Sequence, residues 1–125
     1  MQIGEMATEN AKVLCEKILS CSPLIGHASI IDSDGRIIVE INRQTGGKAS
    51  TIGKELQDNY GLLVSIISGV AEQAETPFGK MDYFLASYAK LKLAVISKNG
   101  VKILISLARH ANIEEIAPLV EALIT

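Results

Sequence analysis

Thr45-Gly46-Gly47-Lys48-Ala49-Ser50-Thr51 sets two glycines and a lysine ahead of hydroxyl residues, the types that cradle a nucleotide phosphate. A phosphate loop needs Gly, four residues, then Gly-Lys-Ser/Thr, so that backbone N–H groups wrap the phosphates and the last hydroxyl meets Mg²⁺. Here Asn42 stands at the early glycine and Ala49 at the metal-binding hydroxyl. We read the segment as a loop leading into a helix cap. Asp32-Ser33-Asp34-Gly35 carries the residue types of a calcium loop. Aligning Gly35 with the loop glycine puts Ile30 and Ile41 at the first and last ligand positions, so the two strongest oxygen donors are missing. A hairpin turn remains.

The other reactive side chains form no local constellation. Cys15 and Cys21 sit about 240° apart around one helix and cannot share a metal from it. Cys21 falls on the apolar stripe and reads as a small buried hydrophobe, Cys15 as a free surface thiol. His27 and His110 stand at element ends, with no neighbouring nucleophile and carboxylate to complete a triad. Lys90, Lys92, Lys98 and Lys102 cluster on one expected hairpin. They protect strand edges or meet an acidic or phosphate-bearing partner. No residue set calls for a cofactor, a metal or an enzymatic reaction.

The elements that carry these residues follow from periodicity. Ala7, Ala11, Leu14, Ile18 and Cys21 recur at four, three, four and three residues, the spacing of one helix face, and Ser22-Pro23 stops that helix. Residues 27–31 and 36–41 are short β-branched strands joined by Asp32-Ser33-Asp34-Gly35. Residues 42–50 form a loop. Ser50 or Thr51 caps a long helix reaching about Ala74, ended by Thr76-Pro77-Phe78-Gly79. Strands are expected at 81–87, 91–97 and 101–107. Asn99-Gly100 is a strong two-residue hairpin signal, pairing Lys98 with Val101 and Ile96 with Ile103. One sheet face then carries Leu91, Leu93, Val95 and Leu104; the other carries Ala94, Ile96, Val101, Ile103, Ile105 and Leu107. Both faces look filled by aliphatics, so both need cover. Asn112-x-x-Glu115 opens a last helix in capping-box form. Pro118 suits a first helical position, with Leu119, Val120, Leu123 and Ile124 anchoring the main helix to the sheet.

The long middle helix is the most informative element. On a wheel of about 100° per residue, Ile52, Leu56, Leu63, Ile67, Val70 and Ala74 fall within about 60° of one another, the expected core stripe. The full apolar arc, from Leu62 round to Val64, covers about 200°, twice the width that sits on one sheet. Gly61, Ser65 and Ser68 are small enough to let a second backbone approach. The excess is buried by loops of the same chain or by a partner helix, and we read a partner helix. This predicts a homodimer with Leu62, Ile66 and Gly69 near the partner, flanked by Gly61 and Ser65.

Composition agrees. The 125 residues include 17 Ile, 13 Leu and 7 Val but no Trp, and 48% are hydrophobic, enough for one real core and too apolar for disorder. Mean hydropathy is +0.28, which points to surface buried beyond the monomer core. Twelve basic against fourteen acidic residues give a net charge of −2, against nucleic-acid binding. Two cysteines make no secreted-type disulfide framework. No run approaches the ~18 apolar residues of a membrane span. Met1-Gln2-Ile3-Gly4-Glu5 shows neither a basic segment nor an apolar run of the secretory kind, so the expected location is cytoplasmic.

The run Ser22-Pro23-Leu24-Ile25-Gly26-His27-Ala28-Ser29-Ile30-Ile31-Asp32-Ser33-Asp34-Gly35 resembles the start of a roadblock (dynein light chain) domain. There a helix ends at a proline-containing turn, a glycine opens the first strand, and Asp-x-Asp-Gly makes the hairpin. The order helix, two strands, helix, three strands, helix is similar over nearly the whole chain. Phe78-Gly79-Lys80-Met81-Asp82-Tyr83 through Pro118 also resembles small uncharacterised archaeal proteins of the same build. The expectation is one domain over residues 1–125, an α+β sandwich (αββαβββα) with a five-stranded antiparallel sheet and helices on both faces. The resemblance implies a homodimer or heterodimer with paired long helices and strands joined across protomers. It also implies a non-catalytic scaffold or regulator, often of small Ras-like GTPases. Pro118 and the Gly46-Gly47 loop depart from the family pattern, and no position transfers as a GTPase contact. The same build is shared by small-ligand sensors of the profilin, PAS or GAF type, the alternative reading.

Overall fold

The computed structural model describes residues 8–32, 35–43, 64 and 69–124. In chain order they form α1 (Thr8–Cys21), β1 (Ile25–Ile31), β2 (Ile37–Asn42), α2 (Glu75–Phe78), β3 (Tyr83–Ser87), β4 (Leu91–Lys98), β5 (Val101–Ala108) and α3 (Ile113–Glu121). Val64 and residues 69–72 are also helical, within the span expected for the middle helix. The Gly46-Gly47 loop, the expected cap at Ser50 or Thr51, and Ile52, Leu56, Leu63 and Ile67 lie outside the described residues.

The five strands make one sheet in the order β2-β1-β5-β4-β3, and all four pairings are antiparallel. The last hairpin has the expected register, Lys98 opposite Val101 and Ile96 opposite Ile103. Asn99 (φ 54°) and Gly100 (φ 79°) both take positive φ, the turn whose twist matches that of the flanking strands. At the first hairpin, Gly35 has φ 82°, and the Arg36 amide donates to Asp32 Oδ1 at 2.9 Å.

Both sheet faces are covered. On the first, α1 and α3 bury Ala11, Cys15, Ile18, Ile116, Ala117 and Val120 against Ala28, Ile30, Ala94, Ile96, Ile103 and Ile105. On the second, Val64 packs with Ile31, Leu93, Val95 and Leu104. The expected division of β4 and β5 residues between faces holds. A β-bulge between Ile25 and His27 reverses the alternation of β1. Ile25 pairs with Leu107 and joins the first face, whereas His27 pairs with Ser106 on the second. Gly26 sits at this bulge, where the absence of a side chain eases the local bend.

Four expectations are corrected. Cys15 is fully buried and Cys21 half-buried, the reverse of their expected roles, because the core stripe of α1 runs through Ala11, Cys15 and Ile18. Pro118 lies inside α3 rather than at its start. The helix begins earlier because the Asn112 side chain accepts the Glu114 amide at 3.0 Å, and Ile113, Ile116, Ala117 and Val120 bury the face that holds it down. Pro118 itself is exposed, so the Glu114 carbonyl it cannot serve is on the wet side of the helix. Leu119 shares that side and is 49% exposed, while Val120 and Ile124 are buried. Lastly, Val70 is 65% exposed and Val64 1%, so the expected sheet-facing stripe is out of phase with the observed one.

Candidate interaction surface

The residues nominated for association divide by what the structure describes. Leu62, Ile66, Gly61 and Ser65 lie outside the described residues. Gly69 is helical and exposed, and a Cβ built on it would meet nothing within 4 Å. The space beside Gly69 is open to a second body. Val70 beside it presents an apolar side chain to solvent. Val64, held against Leu93, Val95 and Leu104, marks the opposite, sheet-facing side.

The sheet offers a second surface at β3, the edge strand beside β4. Its Phe84 and Ala86 pack on the second face, while Leu85 is 38% exposed. The Tyr83 hydroxyl donates to Glu114 Oε1 at 2.7 Å and ties the strand's start to α3, and that carboxylate pushes the phenol's pKa up. Exposed apolar residues continue into Tyr88 and, in α2, Phe78, which is 84% exposed.

The lysine cluster is partly consumed by the fold. Lys92 Nζ donates to the Ala111 carbonyl at 3.0 Å and Lys98 Nζ to the Glu121 carbonyl at 2.9 Å. The second contact sets a positive charge at the C-terminal end of α3, where the helix dipole favours it. A hollow of about 340 Å³ beside the β4–β5 turn is lined by Glu72, Glu75, Lys80, Lys98 and Lys102 among others. Its charges are of both signs, and Glu75 Oε2 already accepts the Met81 amide at 2.9 Å. A second hollow of about 340 Å³ runs along Ala71, Ala74, Phe78 and Met81.

Sequence reading missed a buried polar group. The second sheet face is not filled by aliphatics alone: His27, Ser29 and Ser106 are each 0% exposed. His27 Nδ1 lies 2.7 Å from Asn42 Oδ1, and burial lowers the imidazole's pKa despite that bond and the nearby Glu40. His27 and Ser29 alternate with Ala28 and Ile30, which face α1 and α3, and so fall on the second face; the bulge at Gly26 moves Ile25 to the first. The advance signal was the alternation within residues 27–31. His110 is exposed and far from this group along the sequence. Among the described residues no group of three or more His, Cys, Asp or Glu side chains could hold a metal, and no helix is long and apolar enough to cross a membrane.

No protein-family model and no curated protein matches the sequence. Solved structures do match in shape. A roadblock/LC7 domain from Streptomyces avermitilis superposes with a TM-score of 0.68 at 15% identity, covering 89% of this chain and 88% of that one. The gliding protein MglB from Thermus thermophilus gives a TM-score of 0.72 at 13% identity, covering 93% and 84%. MglB from Myxococcus xanthus gives 0.66 at 9% identity, covering 89% and 85%. With its five antiparallel strands, its two helices on one face and its helical layer on the other, the chain has the roadblock fold.

Proposed function

We propose that this chain is a non-catalytic interaction module that pairs with a second copy of itself and scaffolds or regulates a protein partner, a small Ras-like GTPase being the first candidate. The observation that carries the reading is the contrast between Val64, 1% exposed on the sheet, and the open Gly69 and exposed Val70. Counted at about 100° per residue from Val64, Leu62, Ile66 and Gly69 come about 140° to 200° round a regular helix, on the side away from the sheet. Large aliphatics there, with the small Ser65 and Gly69 at their flank, suit a partner helix at close range, while Gly61 counts to about 60° from Val64, on the sheet side. β3, at the edge of the sheet, is placed for the strand joining that the roadblock resemblance implies. The fold supports the regulatory reading by likeness to MglB; another MglB structure has a tetrameric arrangement. The GTPase rests on the roadblock resemblance alone.

Light scattering on the eluting peak tests association. The expected mass is twice 13.4 kDa at micromolar concentration. Leu62→Glu with Ile66→Glu should shift it toward monomer with the circular dichroism spectrum retained, because a carboxylate buried without a counter-charge is costly. A wild-type chain that stays monomeric ends the dimer reading, and loss of folding in the double variant would assign both side chains to the monomer core. Titration of the wild type with a Ras-like GTPase in its GDP and GTP forms tests the partner; equal absence of binding to both removes it.

A further inference from the structure

We propose that the second sheet face holds one buried water molecule, hydrogen-bonded between His27 Nε2 and Ser29 Oγ. Both atoms are buried, and neither has a hydrogen-bond partner among the described residues. Buried polar groups are nearly always satisfied, so two orphans on one face require an occupant. The register sets them together: His27 pairs with Ser106 and Ser29 with Leu104, so both side chains leave β1 on the side of Leu104. Their Cα atoms stand about 6.6 Å apart along the strand, a gap that two side chains and one molecule with hydrogen bonds of about 2.8 Å can close.

The chemistry selects water. Asn42 Oδ1 can only accept, so the ring's proton is on Nδ1. Burial keeps the imidazole neutral, and Nε2 is then a bare lone pair that needs a donor. Ser29 offers a hydroxyl that donates and accepts. An anion would face the Nε2 lone pair with one hydroxyl to hold it. A metal ion would have one imidazole with Glu40 nearby, and among the described residues no group of three or more His, Cys, Asp or Glu could hold it. Water supplies the missing donor and takes the hydroxyl as its second partner, the two-bond minimum for an internal water.

A crystal structure of the full wild-type chain at a resolution that orders internal waters is the test. The expected result is a water within about 3.2 Å of both atoms. In solution, NMR should show exchange-independent cross-relaxation between water and the His27 ring protons, with Nε2 unprotonated in the long-range ¹H–¹⁵N spectrum. Ser29→Ala should lose or weaken that cross-relaxation while the Nδ1–H tautomer stays. Three results overturn the proposal: a direct Ser29 Oγ–His27 Nε2 bond, a side chain of residues 44–68 bonded to either atom, or a dry contact. The wild-type measurements decide it even where the alanine variant fails to fold.

Discussion

Arg43 Nε donates to the Ile25 carbonyl at 2.8 Å, tying the residue that follows β2 to the first residue of β1. The same guanidinium reaches α1: Nη2 donates to the carbonyls of Ser22, at 3.0 Å, and Leu19. These are carbonyls at the end of a helix, which otherwise have no partner within it. One planar fork therefore caps α1 and sets its angle to the sheet. Arg43→Ala should cost about 2 kcal/mol, in the range for hydrogen bonds to a charged group. Arg43→Lys should recover less than half of that, since an ammonium cannot span three carbonyls as a fork does. Urea unfolding of the three proteins checks both statements.

Val64 and Val70 separate the two sides of the helical layer. Val64→Ala removes two methyl groups packed against Leu93, Val95 and Leu104, and should cost about 2 kcal/mol. Val70→Gln, at a position 65% exposed, should leave the unfolding free energy within about 0.5 kcal/mol. Equal losses at both positions in chemical denaturation would contradict this phase of the helix.

The β4–β5 turn depends on positive φ at both central residues. Gly100→Val should lower stability by about 1–3 kcal/mol, the cost of forcing a β-branched residue into the left-handed region. Asn99→Gly should be tolerated, because glycine meets the φ of 54° without strain. Melting temperatures of the two variants give the comparison.

Acid should weaken the sheet through His27. Burial lowers its pKa from the ordinary 6.5, so the unfolded chain takes up the proton first. The contribution is whole above pH 6.5 and is lost as pH falls from there through the lower folded value. Unfolding free energies at about pH 7.5 and pH 5 should differ in the wild type, and less in His27→Gln, which cannot titrate there.

The two cysteines should react at very different rates. Burial first, and then the Glu16 charge, pushes the Cys15 thiol up to about 12, and the side chain is fully enclosed. Cys21 is half-buried, and its thiol donates to the Lys17 carbonyl at 3.5 Å. A thiol reagent at mildly alkaline pH should modify Cys21 in the native protein and Cys15 only after unfolding. Cys21→Ala should abolish the native reaction.

Local chemistry made much of the fold legible. Asp32 and Gly35 shape the first turn through a side-chain hydrogen bond and a positive φ, Asn99-Gly100 specifies the last through positive φ at both residues, and a two-residue turn leaves the facing strands one register. Period-two alternation then divided β4 and β5 correctly between the faces. The apolar excess of the middle helix was also readable, although Leu62 and Ile66 lie outside the described residues. The tertiary structure alone decided phase. A helix wheel gives relative angles, and only contact with the sheet chooses which side is down. So Cys15 rather than Cys21 entered the core, and Val64 rather than Val70. The bulge at Gly26 is the strand's version of the same effect: one extra residue moved Ile25 to the face opposite His27 and Ser29. Pro118 was absorbed into α3 because burial of Ile113, Ile116, Ala117 and Val120 outweighs the one backbone hydrogen bond that proline removes.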